Sequence, residues 1–138
     1  MRKSGLINGL LMKIIQGYGI DMKHLIEQFI HGNARSAWIV NEHFKMYVRK
    51  SRRRNFATGE VIACFDIANV ISENPGHGYF SKVFDDLVPL ARQFGFEGIY
   101  AENVNNVSLR GWFLRHGFAA ELKSTYVDGW NAILSLKE

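Results

Sequence analysis

The sequence holds one cysteine and two prolines in 138 residues, and no apolar run approaches the roughly 20 residues that a membrane-spanning helix needs. Cys64 alone can form neither an intramolecular disulfide nor a multi-cysteine metal site, so a reducing, cytoplasmic setting is expected. The five histidines show no His-x-x-x-His or similar spacing, and no metal is expected. The basic start "MRKSGLINGLLMKIIQGYG" is interrupted by Asn8 and Lys13, and no small-residue cleavage motif follows it. It reads as a short strand, helix or extension of the fold. Repeats, low-complexity tracts and linkers are also missing, which leaves one domain over residues 1–138.

Hydrophobic residues make up 47% and charged residues 22%, the profile of a chain that buries a core. The formal net charge of +4 is concentrated in "KMYVRKSRRR", residues 45–54, which contains six basic groups and no acid. Arg49, Lys50, Arg52, Arg53 and Arg54 could bind an acidic or nucleic-acid partner. The same run also fits a solvated hairpin tip or a sheet edge guarded by charge, and only Tyr47 offers a stacking ring.

"IDMKHLIEQFIHG" spaces Ile20, Leu25, Ile26, Phe29 and Ile30 along one helical face, with Gly32 as a stop. "HFKMYVR" alternates as a half-buried strand, and the turn residues of "NFATGE" return the chain antiparallel. The next strand, "VIACFDIANVI", is apolar on both faces and calls for helices on both sides of the sheet. Phe80, Val83, Phe84, Leu87, Leu90, Ala91 and Phe94 then recur at helical spacing, although Pro89 should kink or split that helix. "GIYAENV" reads as a second buried strand and "NVSLRGWFLRH" as a helix. "FAAELKSTYVDGWNAILSLK" reads as two strands around Asp128-Gly129. Residues 1–40 are not placed by these patterns beyond the one helix.

Between the buried strand and the long helix lies "ENPGHGYF", residues 73–80. A glycine loop that opens a helix presents unpaired N–H groups at the positive end of the helix dipole, which is an anion site. It is neither a Walker A loop nor the three-glycine dinucleotide fingerprint. Downstream, "NVSLRGWFLRHGF" fits the spacing N-x-x-L-x-x-W-F-x-x-x-G-F, and "ARQFG" closes the helix between the two motifs.

In this order and spacing, over roughly residues 58–118, the chain resembles the GNAT superfamily of acetyl-CoA-dependent N-acetyltransferases, and looks most like its small phage and bacterial members. The resemblance implies a mixed, mostly antiparallel α/β sheet with helices on both faces, and acetyl-CoA as acyl donor. It implies that the amides of Gly76, His77, Gly78, Tyr79 and Phe80 cradle the coenzyme A pyrophosphate. Val70 and Ile71 would pair with the pantetheine arm through their backbone, with Asn106 and Phe113 on the far side of the cofactor. Residues 1–40 would shape the acceptor pocket, and the C-terminal hairpin offers an edge for a homodimer. A phage-encoded member would work in the host cytoplasm.

Two residues depart from the family pattern. Glu73 stands where Gln or Arg is usual, and Phe113 stands where many members keep a tyrosine that protonates the leaving thiolate. Water, Tyr100, Tyr79 or Tyr126 would have to take over that protonation. Amide formation also needs a base near the acetyl carbon. Glu102, near the end of a strand flanking the cofactor strand, is the first candidate, and a carboxylate satisfied by Arg110 or by amides is the bland alternative. Asp66, a carboxylate inside an apolar strand, is the second, against a role as buried partner of an arginine. His43 and His77 titrate in a useful range, and Cys64 reads as core. The expected activity is direct transfer of an acetyl group to a primary amine of unknown identity. An inactive GNAT-like binding module and a nucleic-acid-binding protein using residues 45–54 are the alternatives.

Overall fold

A computed structural model describes residues 3–7, 10–56, 58–72, 78–121 and 129–137. The chain runs β1 (Lys3–Ile7), β2 (Leu10–Gln16), α1 (Met22–His31), β3 (Ser36–Val40), β4 (Phe44–Arg54) and β5 (Val61–Ser72). It continues with α2 (Tyr79–Gln93), β6 (Gly98–Ala101), α3 (Val107–Arg115), β7 (Ala119–Ala120) and β8 (Ala132–Ser135). The strands form one sheet in the order β1-β2-β3-β4-β5-β6-β8-β7. Only β2–β3 and β5–β6 are parallel, so the sheet is mixed and mostly antiparallel, as expected. Among the described residues no helix is long and apolar enough to cross a membrane.

Each parallel pair is joined by a helix, α1 in one case and α2 in the other. Helix α1 forms because Met22, Leu25, Ile26 and Phe29 share one stripe, which is buried whole, and the Gly32 N–H closes its last turn on the Gln28 and Phe29 carbonyls. Helix α2 buries Val83, Phe84, Leu87, Leu90 and Ala91. At about 1.5–3 kcal/mol for each large apolar side chain removed from water, that stripe outweighs the roughly 3 kcal/mol cost of Pro89. Helix α2 therefore runs unbroken from Tyr79 to Gln93, against the expected split at Pro89.

The helices expected on both faces of the sheet all pack, among the described residues, on one. Phe29, Leu87 and Phe113, one from each helix, join a single cluster with Val48, Phe65, Ile67 and Ile99 of the sheet. The reason is topological. β2, β3, β5 and β6 point the same way, and both crossovers step in the same direction along the sheet. Right-handed crossovers of that kind place their helices on the same side. The opposite face carries a smaller cluster of Ile62, Cys64, Tyr100 and Ile133 packed by Phe56, with no helical residue in it.

The basic run is neither a hairpin tip nor, for its first half, an edge. β4 extends through Arg54 and pairs with β5 along its whole length, while β3 covers its other side from Lys45 to Arg49. The turn follows at residues 55–60, where the Asn55 N–H donates to the Glu60 carbonyl at 2.7 Å and Gly59 takes φ +80°. Strand β3 was not visible in the sequence, and the β1–β2 hairpin lies where the sequence left a short strand, a helix or an extension open. The last strand, β8, lies between β6 and β7, so the outer edge at the C-terminal end of the described sheet is the two-residue β7.

Candidate active site

Strands β5 and β6 pair only from Cys64 and Gly98 to Ile67 and Ala101, and the Glu102 N–H donates to the Ile67 carbonyl at 3.0 Å. There they part. β5 continues from Ala68 to Ser72 bonded to β4 alone. The other chain turns away at Asn103, whose φ is +54°, and the Val104 N–H bonds the Trp130 carbonyl at 2.8 Å. Asn106 then caps α3, its side chain accepting from the Leu109 N–H at 3.0 Å.

The gap is a cavity of about 250 Å³ lined by Ala68, Asn69, Val70, Glu102, Asn106 and Phe113, among others. Strand alternation places Val70 on the helix-covered face, where Phe113 is fully buried. Asn69 and Glu102 belong to the helix-free face. The cavity is thus a slot through the sheet. One wall is irregular: Tyr47 pairs with Asn69 and Val48 with Ile67, which leaves Ala68 as an extra residue without a partner on β4. Such a bulge re-aims the backbone beside it.

Gly78 is the N-cap of α2 with φ +76°, ψ 12°, a left-handed conformation that a side chain opposes. No acidic residue lies in the first turn. The Phe80 ring fixes that turn against Trp112 (4.6 Å between centroids), Phe113 (5.8 Å) and Phe44 (5.9 Å). The Trp112 indole N–H also donates to Ser81 Oγ at 3.1 Å.

Of the residues singled out in the sequence, Val70, Glu102, Asn106 and Phe113 meet at the slot, and Gly78, Tyr79 and Phe80 open α2. Ile71 pairs with Lys45 and is largely exposed, without lining the slot. Glu73, Gly76, His77 and Tyr126 lie outside the described residues. Tyr79 stacks on His43 at 4.5 Å and faces a separate cavity with Asp21 and Asp86. Neither Tyr79 nor Tyr100 lines the slot. The Ala68 bulge, beside Asn69, had no sequence signal.

Glu102 is not held by Arg110, which instead bonds the Val104 carbonyl at 2.7 Å. One Glu102 oxygen accepts from Arg49 Nη2 and the other from Arg53 Nη2, the latter at 2.9 Å. Asp66, proposed from the sequence as a second base, is fully buried and does not reach the slot. Its oxygens accept from Ser51 Oγ at 2.7 Å and from Arg53 Nη2 at 2.9 Å. An unpaired buried carboxylate is too costly to keep, and the arginine partner removes that cost. Burial alone would lower the Arg53 pKa; the Asp66 hydrogen bond and charge, with Tyr100 and Glu102, outweigh it and raise it.

Half of the basic run, Arg49, Lys50 and Arg53, is therefore turned inward, while Lys45, Arg52 and Arg54 are exposed. Besides Arg49 and Arg53, Lys50 donates to the Gly32 carbonyl at 2.8 Å with its ammonium 4.7 Å from the Phe29 ring, and Arg54 donates to the Gly59 carbonyl. Burial, and then the charge of Lys13, lower the Lys50 pKa. Of the residues expected to bind an acidic or nucleic-acid partner, this leaves Arg52 and Arg54 on the exposed surface.

Burial pushes the Cys64 thiol from 9.0 up to about 12. Burial, followed by the Glu121 charge, pushes Tyr100 from 10.0 up to about 12. The unfolded chain releases both protons at ordinary values while the folded chain holds them. Between those values the unfolded state binds fewer protons, so stability falls as pH rises. The melting temperature should show no loss from these groups up to pH 9 and fall above it, and Cys64→Ala should delay the onset to about pH 10. A melting temperature unchanged to about pH 11 would show that neither group is held protonated by the fold.

No family model and no curated protein matches the sequence. Solved structures match the fold. A mutant of the AtaT toxin, bound to the C-terminus of the antitoxin AtaR and acetyl-CoA, matches with TM-score 0.54 at 11% identity, over 70% of this chain and 60% of that one. The present chain thus spans less than two thirds of that neighbour's length. A protein of Desulfovibrio desulfuricans assigned as a GNAT-family acetyltransferase matches with TM-score 0.47 at 20% identity, over 82% and 77% of the two chains. Nourseothricin acetyltransferase matches with TM-score 0.41 at 16% identity, over 70% and 67%. The likeness at TM-score 0.54 shows the fold alone: a mixed, mostly antiparallel α/β sheet.

Proposed function

We propose that this protein transfers an acetyl group from acetyl-CoA to a primary amine, the whole chain acting as one domain. The observation that carries this reading is the edge of β5 from Ala68 to Ser72, which has no strand partner on that side among the described residues and lines the slot as far as Val70. Unpaired backbone groups facing a cavity need a partner, and an extended amide-bearing arm provides one. Val70 and Ile71 are the residues that pair with a pantetheine arm. The slot leads toward the start of α2, where Gly78, Tyr79 and Phe80, with Gly76 and His77, hold the pyrophosphate. Asn106 and Phe113 close the far side.

Acetyl-CoA supplies an activated thioester. The acceptor approaches from the helix-free face, and Glu102 receives its proton through a water. Each Glu102 oxygen already accepts one guanidinium hydrogen, which leaves further lone pairs for that water. The amine nitrogen bonds to the acetyl carbon as the carbon–sulfur bond breaks. Phe113 has no proton to give, and no tyrosine among the described residues lines the slot, so the thiolate takes its proton from water.

The test is calorimetric titration of acetyl-CoA into the native protein and Gly78→Glu. That substitution places a carboxylate at the helix N-terminus and a side chain at positive φ, at a strain of about 1–2 kcal/mol. Micromolar binding by the native protein and none by a variant that still melts cooperatively is the expected result. No binding by the native protein at millimolar cofactor would overturn the reading and leave a GNAT-like binding module.

A further inference from the structure

We infer that the acceptor is an amine carried on a flat aromatic body, seated on Trp38 and Tyr47, rather than a polyamine or a lysine-rich peptide. This inference rests on the acetyl-transfer reading. The slot opens on the helix-free face beside Asn69, which is exposed, and Glu102. Register fixes what lies next to it. Ile14, Trp38, Tyr47 and Asn69 are successive cross-strand partners, so they form one row across β2, β3, β4 and β5. Trp38 and Tyr47 are half-buried, with ring centroids 5.3 Å apart and planes tilted by 49°. The next row on this face runs Gln16, Val40, Lys45 and Ile71, so the two rings are bordered by two aliphatic side chains and by the exposed Lys45, a second positive charge on this face.

Charge gives the second half of the argument. A polyamine or a lysine-rich tail needs free carboxylates. The carboxylates on this face are engaged: Asp66 by Ser51 and Arg53, Glu102 by Arg49 and Arg53, and Glu121 by Asn131 Nδ2 at 3.1 Å. The Arg49 guanidinium also stands 5.9 Å from the Tyr47 ring, which places positive charge beside the platform. An aromatic body gains stacking there without supplying extra cations, whereas a second ammonium on the acceptor meets Arg49 and, among the described residues of this face, finds no carboxylate without a hydrogen-bond partner.

The experiment compares tryptamine with spermidine as acceptors, using acetyl-CoA and the native protein, Trp38→Leu and Tyr47→Leu. Tryptamine is expected to give the higher kcat/KM by at least tenfold, and each variant to raise its KM about tenfold while leaving kcat and acetyl-CoA affinity unchanged. Preference for spermidine, or variants that affect both amines alike, would overturn the inference. An NMR titration of tryptamine into the protein, reading the Trp38 indole and Tyr47 ring signals, needs no acetyl transfer. Saturable shifts at those rings would sustain the platform even if the protein failed to bind acetyl-CoA, which would sink only the enzymatic reading. The absence of such shifts would sink the platform by itself.

Discussion

Asp66→Ala is expected to cost about 3 kcal/mol of stability, the largest loss from removing any single polar group on the helix-free face. The carboxylate is fully buried and binds Ser51, Arg53 and, at 4.0 Å, the Arg49 guanidinium. Removing it leaves the Ser51 hydroxyl without its acceptor, and the two guanidiniums keep only Glu102 between them. Both arginines are about one-third exposed, so part of their charge turns to water, which keeps the loss at the lower end of the range for broken buried ion pairs. For a chain of this length the expected fall in melting temperature is about 10 °C. The double variant Asp66→Leu with Arg53→Met should recover much of that loss, because it removes both charges together. A loss below about 1 kcal/mol for Asp66→Ala would show that the arginines solvate freely and that the network does not hold this face.

The same network shows where the sequence stopped being legible. Periodicity was enough for α1 and α2, since each buries a stripe at helical spacing, for α3, where Phe113 is buried with Leu109 and Trp112 packed beside it, and for β5 and β6, whose apolar runs are too short for helices. The glycine loop announced itself because Gly78 needs a positive φ at the start of a helix. The far face of β5 did not. Ile62, Cys64 and Asp66 asked for a covering layer, and a helix was the natural guess. The cover instead includes Phe56 and the Arg53 guanidinium lying 4.3 Å from the Tyr100 ring. Arginines read as charge in a sequence, yet their stems and planar heads can roof an apolar patch. Whether they do so depends on which carboxylates the neighbouring strands bring opposite, and that is set by register across β4, β5 and β6.

Strand β3 was missed for a related reason. "SAWIV" is five residues long, and its pattern has meaning only once β2 and β4 flank it. β1 and β2 are separated by two residues, and their apolar stretch fits a strand or a helix equally well. The candidate site was half legible. The residues at the slot that belong to motifs, Asn106 and Phe113, could be found by spacing. Ala68 could not, because a bulge is a mismatch between two strands and belongs to neither sequence alone.

Glu102→Gln should lower kcat for acetyl transfer by about 10²-fold or more with acetyl-CoA affinity unchanged. The change is nearly isosteric and lies at the helix-free mouth of the slot, away from the α2 terminus proposed to hold the pyrophosphate. The amide oxygen can still accept from one arginine. Its NH₂ group, however, cannot accept the hydrogen that Arg49 or Arg53 now donates, and it takes no proton from a water. With the acceptor's proton left to bulk solvent, the variant's rate should climb with pH toward the amine's own pKa, where the free base needs no help. The native rate should be flatter over the same range. Glu102→Asp, one methylene shorter, should keep the charge while loosening both arginine contacts, and so fall between the two. Two results would return Glu102 to a purely structural place in the arginine network: full activity in Glu102→Gln, or equal losses in kcat and in thermal stability across both variants.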